Sequence, residues 1–217
     1  MSGLGGPAGP RRYVLALSAA VFAIHIGIES GTGLWAYVFL TTGRGLPPET
    51  AGLAVSGFWA SMFIGRVILG PIAERVGAAR VLSCAVGGIG GGAAMMALPG
   101  PAALALALAL ALAGMLVLGL AAAPIFPLLT LTTAGRVGHD HADKTIGFQV
   151  AASKIGAAVL PAGMGLLIQH LGATALGPAV LTLALVMATG YGLLVRLTAS
   201  AETPIPPEPR PGRSTES

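Results

Sequence analysis

Two charged side chains sit inside long apolar runs, Glu29 within the run from Tyr13 to Leu40 and Lys154 within the run that begins near Lys144. If those runs cross a bilayer, a carboxylate near its middle costs roughly 3 kcal/mol or more on insertion scales, so Glu29 is read as part of a pathway or of an internal pair. Glu29 is assigned the part of a protonatable coupling group. Lys154 is assigned that of its counter-charge, or of a ligand for substrate oxygens. With both helices upright their depths differ by roughly 9 Å at 1.5 Å per residue, a gap left to tilt, the long lysine or a bound water. Trp35, Trp59 and Gln149 add rings and an amide that suit sugar recognition by stacking and hydrogen bonding. The competing roles are interface anchoring for Trp35 and a bond to a neighbouring helix for Gln149.

A second group, Arg66, Glu74, Arg75 and Arg80, mixes signs near one helix end, which favours pairing; its plainer reading is topology alone, with Arg66 snorkelling. His139, Asp140, His141 and Asp143 carry metal-ligating atoms but fall in a short polar loop, where Asp143 is placed to cap the next helix, so no metal site is assigned. Cys84 has no partner for a disulfide and is expected as a small buried residue. No cofactor motif is found.

The elements that must position these residues follow from composition. Of 217 residues, 54% are hydrophobic and 9% charged, far from the quarter or so that soluble domains carry. Six apolar segments between Tyr13 and Leu197 each reach the ~20 residues that span the hydrocarbon core. A lipid-facing backbone must satisfy its own hydrogen bonds, so all six are expected as helices: an all-α, six-helix polytopic membrane protein. The formal charge of +4 is an orientation signal rather than a mark of nucleic-acid binding. Arg11, Arg12, Arg75, Arg80, Arg136, Lys144, Arg196, Arg210 and Arg213 gather at alternate segment ends, and the opposite ends hold only Arg44. That pattern predicts a cell-membrane protein with both termini cytoplasmic.

In order, residues 1–12 read as a flexible lead-in, 13–198 as the transmembrane domain and 199–217 as a disordered, proline-rich tail. The first helix ends near Leu40 and holds Gly27, Gly31 and Gly33 around Glu29. Pro47-Pro48-Glu49-Thr50 starts the second helix, which runs to about Ile72. The third spans about Arg80 to Leu98, and its glycines, four apart, predict tight packing against a sister helix. Pro124 and Pro127 bend or interrupt the fourth. The fifth begins near Lys144 and ends around His170, and the sixth spans about Ala175 to Leu197. Three crossings followed by three raise the question of a nested repeat, without a residue-level echo.

Gly70-Pro71-Ile72-Ala73-Glu74-Arg75-Val76-Gly77 resembles the loop signature of the major facilitator superfamily, with Ala78 and Ala79 in the place of the expected basic pair and Arg80 one position late. Glu29-Ser30-Gly31-Thr32-Gly33-Leu34-Trp35 is similar to the opening helix of a half in the fucose-permease-like branch. Ala123-Pro124-Ile125-Phe126-Pro127 is similar to the end of the fourth helix of the second half. Gly147-Phe148-Gln149 through Leu160-Pro161 resembles the helix that follows. Members of that superfamily carry twelve helices in two halves with substrate between them, and this chain resembles the C-terminal half.

The resemblance implies alternating-access transport of a small polar solute such as a sugar, with protons as a coupling partner. It also implies a second six-helix half, either another copy or a separate N-terminal half, unless the chain is a piece of a longer transporter. Arg66, Glu74, Arg75 and Arg80 would then form a cytoplasmic charge network that stabilises the outward-facing state. A non-transporting structural half is the alternative. An intramembrane serine protease is disfavoured, because Ser56 and His25 offer no buried Ser-His pair at useful depth.

Overall fold

A computed structural model of the chain describes residues 8–98, 105–133 and 139–199, with side chains described at 13–98, 105–133 and 145–198. The helices are α1 (Ala8–Val38), α2 (Pro48–Val76), α3 (Ala78–Ala97), α4 (Ala105–Ala122), α5 (Ile125–Leu131), α6 (His139–Leu171) and α7 (Leu176–Ala199). A π-helical turn, Phe39–Gly43, extends α1, and α4 with α5 makes one crossing. The result is six helical spans apolar and long enough to cross a membrane. Residues 1–7 of the expected flexible lead-in, the stretches 99–104 and 134–138 and the proline-rich tail from 200 lie outside the described residues, whereas 8–12, expected to be flexible, already belong to α1.

Local chemistry accounts for the boundaries. Pro48 occupies the first turn of α2 with Glu49 beside it, where a missing N–H costs nothing and a carboxylate meets the positive end of the helix dipole. Gly77, at φ +100°, ends α2 in a conformation that L side chains rarely adopt, and α3 begins on the next residue. Pro124 and Pro127 deprive Leu120 and Ala123 of their helical donors, and the fourth crossing breaks into α4 and α5 as expected. The fifth crossing begins earlier than expected: α6 already includes 139–143, so Asp143 lies inside a helix and not at its cap.

The packing order is α1 on α6 and α7, α4 on α2 and α3, and α3 on α7. Exchanging the first three crossings for the last three maps these pairs onto one another: α2 on α4 becomes α6 on α1, and α3 on α4 becomes α7 on α1. The nested repeat that has no residue-level echo is therefore present in the packing. In lipid no hydrophobic force drives helices together, and close approach of small residues does instead. A Cβ at Gly92 would lie 2.6 Å from the Gly114 carbonyl oxygen, and one at Gly114 would lie 2.6 Å from that of Gly92. Gly156 meets the Ala23 backbone, with its would-be Cβ 2.6 Å from the Ala23 carbonyl carbon, and so seats α6 on α1.

The second and fifth crossings bury only a narrow stripe. On α2 it comprises Ala51, Phe58, Met62, Gly65 and Ala73; on α6 it runs through Thr145, Gln149, Ser153, Gly156 and Met164. Their other faces expose Leu53, Phe63 and Val67, and Ile155, Val159 and Leu166 respectively. Cys84, expected inside, is exposed. α3 turns Val81, Leu82, Ala85 and Ile89 inward, and the helical period carries position 84 to the opposite face.

Arg44, the sole basic residue at the end away from the termini, is buried. Its Nη2 donates to the carbonyls of Met96 (2.8 Å) and Leu98 (2.9 Å), and its guanidinium stacks on Phe39 at 5.1 Å. It clamps the α1–α2 turn onto the C-terminal end of α3, where a cation suits the dipole. Burial pushes its pKa below the usual range. Arg44→Ala removes two charge-assisted bonds and should cost about 1.5–3 kcal/mol, read as a lower melting temperature in detergent. Gly156→Leu should destabilise by more than the ~1–3 kcal/mol typical of overpacking, because backbone rather than a movable side chain stands in its way. A melting temperature unchanged by it would show that α1 and α6 are not in that contact.

Candidate functional site

Glu29 lies near the middle of the first span, Tyr13–Gly43. Its carboxylate faces into the bundle, with its side chain only 16% exposed. Arg66 Nη2 approaches Oε1 to 3.7 Å, and His25 Nε2, one turn earlier on α1, stands 3.8 Å from Oε2. His25 is wholly buried, and neither ring nitrogen makes a hydrogen bond among the described residues. Thr32, two turns from His25 on α1, is likewise buried with an unpartnered hydroxyl. α1 thus presents His25, Glu29 and Thr32 along one face, with Arg66 supplied by α2.

Arg66 is the residue that sequence reasoning misplaced. It stands ten positions before the end of α2 at Val76, and its side chain, 57% exposed, turns toward Glu29 of α1. Counted from the turn that joins α1 and α2, Glu29 is about 21 Å deep and Arg66 about 27 Å, so the two were comparable from the start. Pairing gives a charge within the span its counter-ion. The expected network is accordingly not assembled. Glu74 and Arg75 are exposed on the last turn of α2, Arg80 Nη1 reaches the Val76 carbonyl at 3.5 Å, and no ion pair joins them among the described residues.

Lys154 is not the counter-charge of Glu29. α6 turns Ser153 and Gly156 toward α1, and Lys154, about 100° further round, is exposed beside Ile155. Depth separates them as well: Gly156 against Ala23, Leu160 against Gly27 and Met164 against Gly31 set α6 parallel to α1, so Lys154 is level with about Val21, roughly 12 Å from Glu29 along the axis. Gln149 is bonded between helices. It is buried, its amide nitrogen donates to Ser18 Oγ, and its Oε1 accepts from Thr133 Oγ1 at 3.1 Å. That set ties α1, the end of the fourth crossing and α6 together, the neighbouring-helix role that the sequence left open. Trp35 is neither a surface anchor nor a free platform: its indole N–H donates to the Pro161 carbonyl at 2.8 Å, and its ring lies against Gly165. Trp59 is half-exposed, packs edge-on to Phe58 and covers Gly33.

Arg66 has a second face. It lines a half-open cavity of about 360 Å³ between α2 and the α4–α5 break, together with Gly70, Ala73, Glu74, Pro124 and Pro127. The break removes a turn of regular helix from one wall, and Gly70 puts no side chain on the other. One guanidinium therefore touches both the buried carboxylate and the cavity. A pair placed this way can exchange its anion: protonation of Glu29 frees Arg66 for another acceptor.

The side chains of His139, Asp140, His141 and Asp143 lie outside the described residues, and no group of three or more metal-ligating side chains forms among the described ones. No curated protein matches the chain. The sequence does match the family profile described as Major Facilitator Superfamily over residues 15–217. With the six apolar helical spans, that match makes the chain a multi-pass membrane protein of a transporter family. The chain belongs to the Major Facilitator Superfamily.

Proposed function

We propose that the chain is one half of a secondary transporter, resembling the C-terminal half in the fucose-permease-like branch, that moves a small polar solute by alternating access. The observation that carries this reading is the Glu29–Arg66 pair, in which the acid is enclosed by the bundle and the guanidinium, 57% exposed, opens to a cavity. Glu29 is the group that takes and releases the coupling proton. His25 stands at its other oxygen and, as a neutral imidazole, can accept a hydrogen bond from the acid form. Lys154 faces away from this pair and serves at the seam with the second half.

The apolar faces of α2 and α6 support the rest of the reading. Both helices bury little in the isolated half, 17% and 22% of their spans, and together they offer the surface on which a second six-helix unit, another copy or a separate N-terminal half, would dock. Rocking of two such units about a mid-membrane site is the motion that inverted-repeat transporters use. The basic residues clustered at the terminus-bearing end support a cell-membrane location with both termini in the cytoplasm. Glu74, Arg75 and Arg80, exposed at that end, are then free to latch against the second half.

Uptake driven by a pH gradient, measured in vesicles that hold the chain with its second half and offered labelled monosaccharides and small carboxylates, is the test. Glu29→Gln should bring that uptake to the level of empty vesicles while insertion and melting temperature stay within ordinary error. Uptake at the wild-type rate would remove Glu29 from the mechanism.

A further inference from the structure

We infer that the cavity beside Arg66 binds a small organic monoanion, a carboxylate with an apolar body, whose head group takes the place of Glu29 on the Arg66 guanidinium when Glu29 is protonated. The inference rests on the transporter reading and narrows its solute from polar molecules in general to one charge and shape.

Charge comes first. Apart from Arg66 the lining carries a single ionisable residue, Glu74, and that is an acid. Eight positions separate the two along α2, about 12 Å, so the adjoining charges of an α-amino acid could not touch both. A phosphate dianion would ask for a second cation, and the lining has none. One planar guanidinium matches one carboxylate, which it can hold through two parallel N–H bonds. Shape and polarity agree. Below the guanidinium the walls are Ala73, Ala123, Pro127, Leu128 and Leu131, surfaces that welcome a ring or short alkyl chain and offer a hexose few partners for its hydroxyls. The volume, about 360 Å³, falls in the roughly 300–1,000 Å³ range of small-molecule sites.

The exchange follows from what surrounds Glu29. His25 faces it from α1 and Arg66 from α2. The elements packed around it from the other sides present apolar or small groups: Leu160 and Met164 of α6 against Gly27 and Gly31, and Phe126 of α5 against Phe22. α4 contains no ionisable residue, and α7 has only Tyr191 and Arg196, both near its far end. Among the described residues Glu29 is therefore the one acid within ion-pair distance of Arg66. When a proton from water forms the O–H bond on Glu29, the guanidinium loses that counter-anion and the incoming carboxylate restores neutrality, so one proton and one monoanion travel together. Loss of the proton returns Glu29 to Arg66 and expels the anion.

The probe is labelled benzoate, with benzamide as its uncharged isostere and glucose as a neutral hexose, and binding is measured to the full chain in lipid nanodiscs between about pH 5.5 and about pH 8, where a carboxylic acid free in water stays ionised. Benzoate should bind, benzamide and glucose should not displace it, and binding should weaken about tenfold or more as the pH rises. Arg66→Gln should weaken it about ten- to a hundredfold, and Arg66→Lys by less. Glu29→Gln should bind at every pH as the unmodified chain does at the acid end. Variants are compared only where helical circular dichroism and elution volume are unchanged, and the isosteric Glu29→Gln keeps the test open should Arg66 variants fail to fold. Displacement of benzoate by benzamide, pH-independent binding to the unmodified chain, or full affinity in Arg66→Gln would overturn the inference. Glucose uptake lost in Glu29→Gln, without benzoate binding, would sink the anion and keep the transporter. Benzoate binding with the stated pH dependence, but no uptake in vesicles, would keep the site and sink the transporter reading.

Discussion

A charge inside an apolar bundle has to be neutralised, and the arrangement of α1 against α2 answers to that requirement. Glu29 and Arg66 stand 3.7 Å apart within spans that contain almost no other ionisable groups. Unpaired, the enclosed acid would cost several kcal/mol in hydrocarbon; Arg66 neutralises it, and the exposure of the guanidinium leaves the pair able to open. A fully enclosed pair would be a static brace. A fully exposed one would be screened and replaced by water. This one lies between those limits, with His25 on one side and a cavity on the other.

The helices around the pair are held by a different device. Small residues let backbones meet: Gly92 with Gly114 between α3 and α4, Gly156 with Ala23 between α6 and α1. Because exchanging the first three crossings for the last three preserves the packing pairs, the bundle has two similarly placed flanks. α2 and α6 are those flanks, each anchored by one narrow stripe with an apolar face left over. Polar anchors close the two ends, Arg44 on the C-terminal end of α3 and Gln149 between Ser18 and Thr133. Rigid ends and close-packed helices fix where Glu29 and Arg66 meet, while the proline break at Pro124 and Pro127 keeps one wall of the cavity open.

Much of this was legible in the residue string. Six helices follow from six apolar segments and the bar on unpaired backbone in lipid. Pro48, Gly77 and the pair Pro124/Pro127 mark boundaries by their own stereochemistry, and Glu29 stood out because it was costly where it was. The errors share a cause. Lys154, Trp35, Arg66 and Cys84 were each judged by depth or by type, whereas their surroundings turn on which way a helix faces. In a segment apolar all round, periodicity carries almost no facing information, so Lys154 looked as central as Glu29, and Cys84 as buried as its neighbours.

The sequence alone thus determined the number and nature of the crossings, the helix stops and the presence of a costly acid, since these depend on composition and on the local rules of proline, glycine and charge. Only the tertiary structure decided which cation that acid meets, that Gln149 and Trp35 are bonded into the frame, and that the two sets of three crossings repeat each other. Those outcomes depend on the rotation of each helix about its axis. That rotation is set by which glycines touch which backbones, a relation between distant segments that no single stretch of the chain contains.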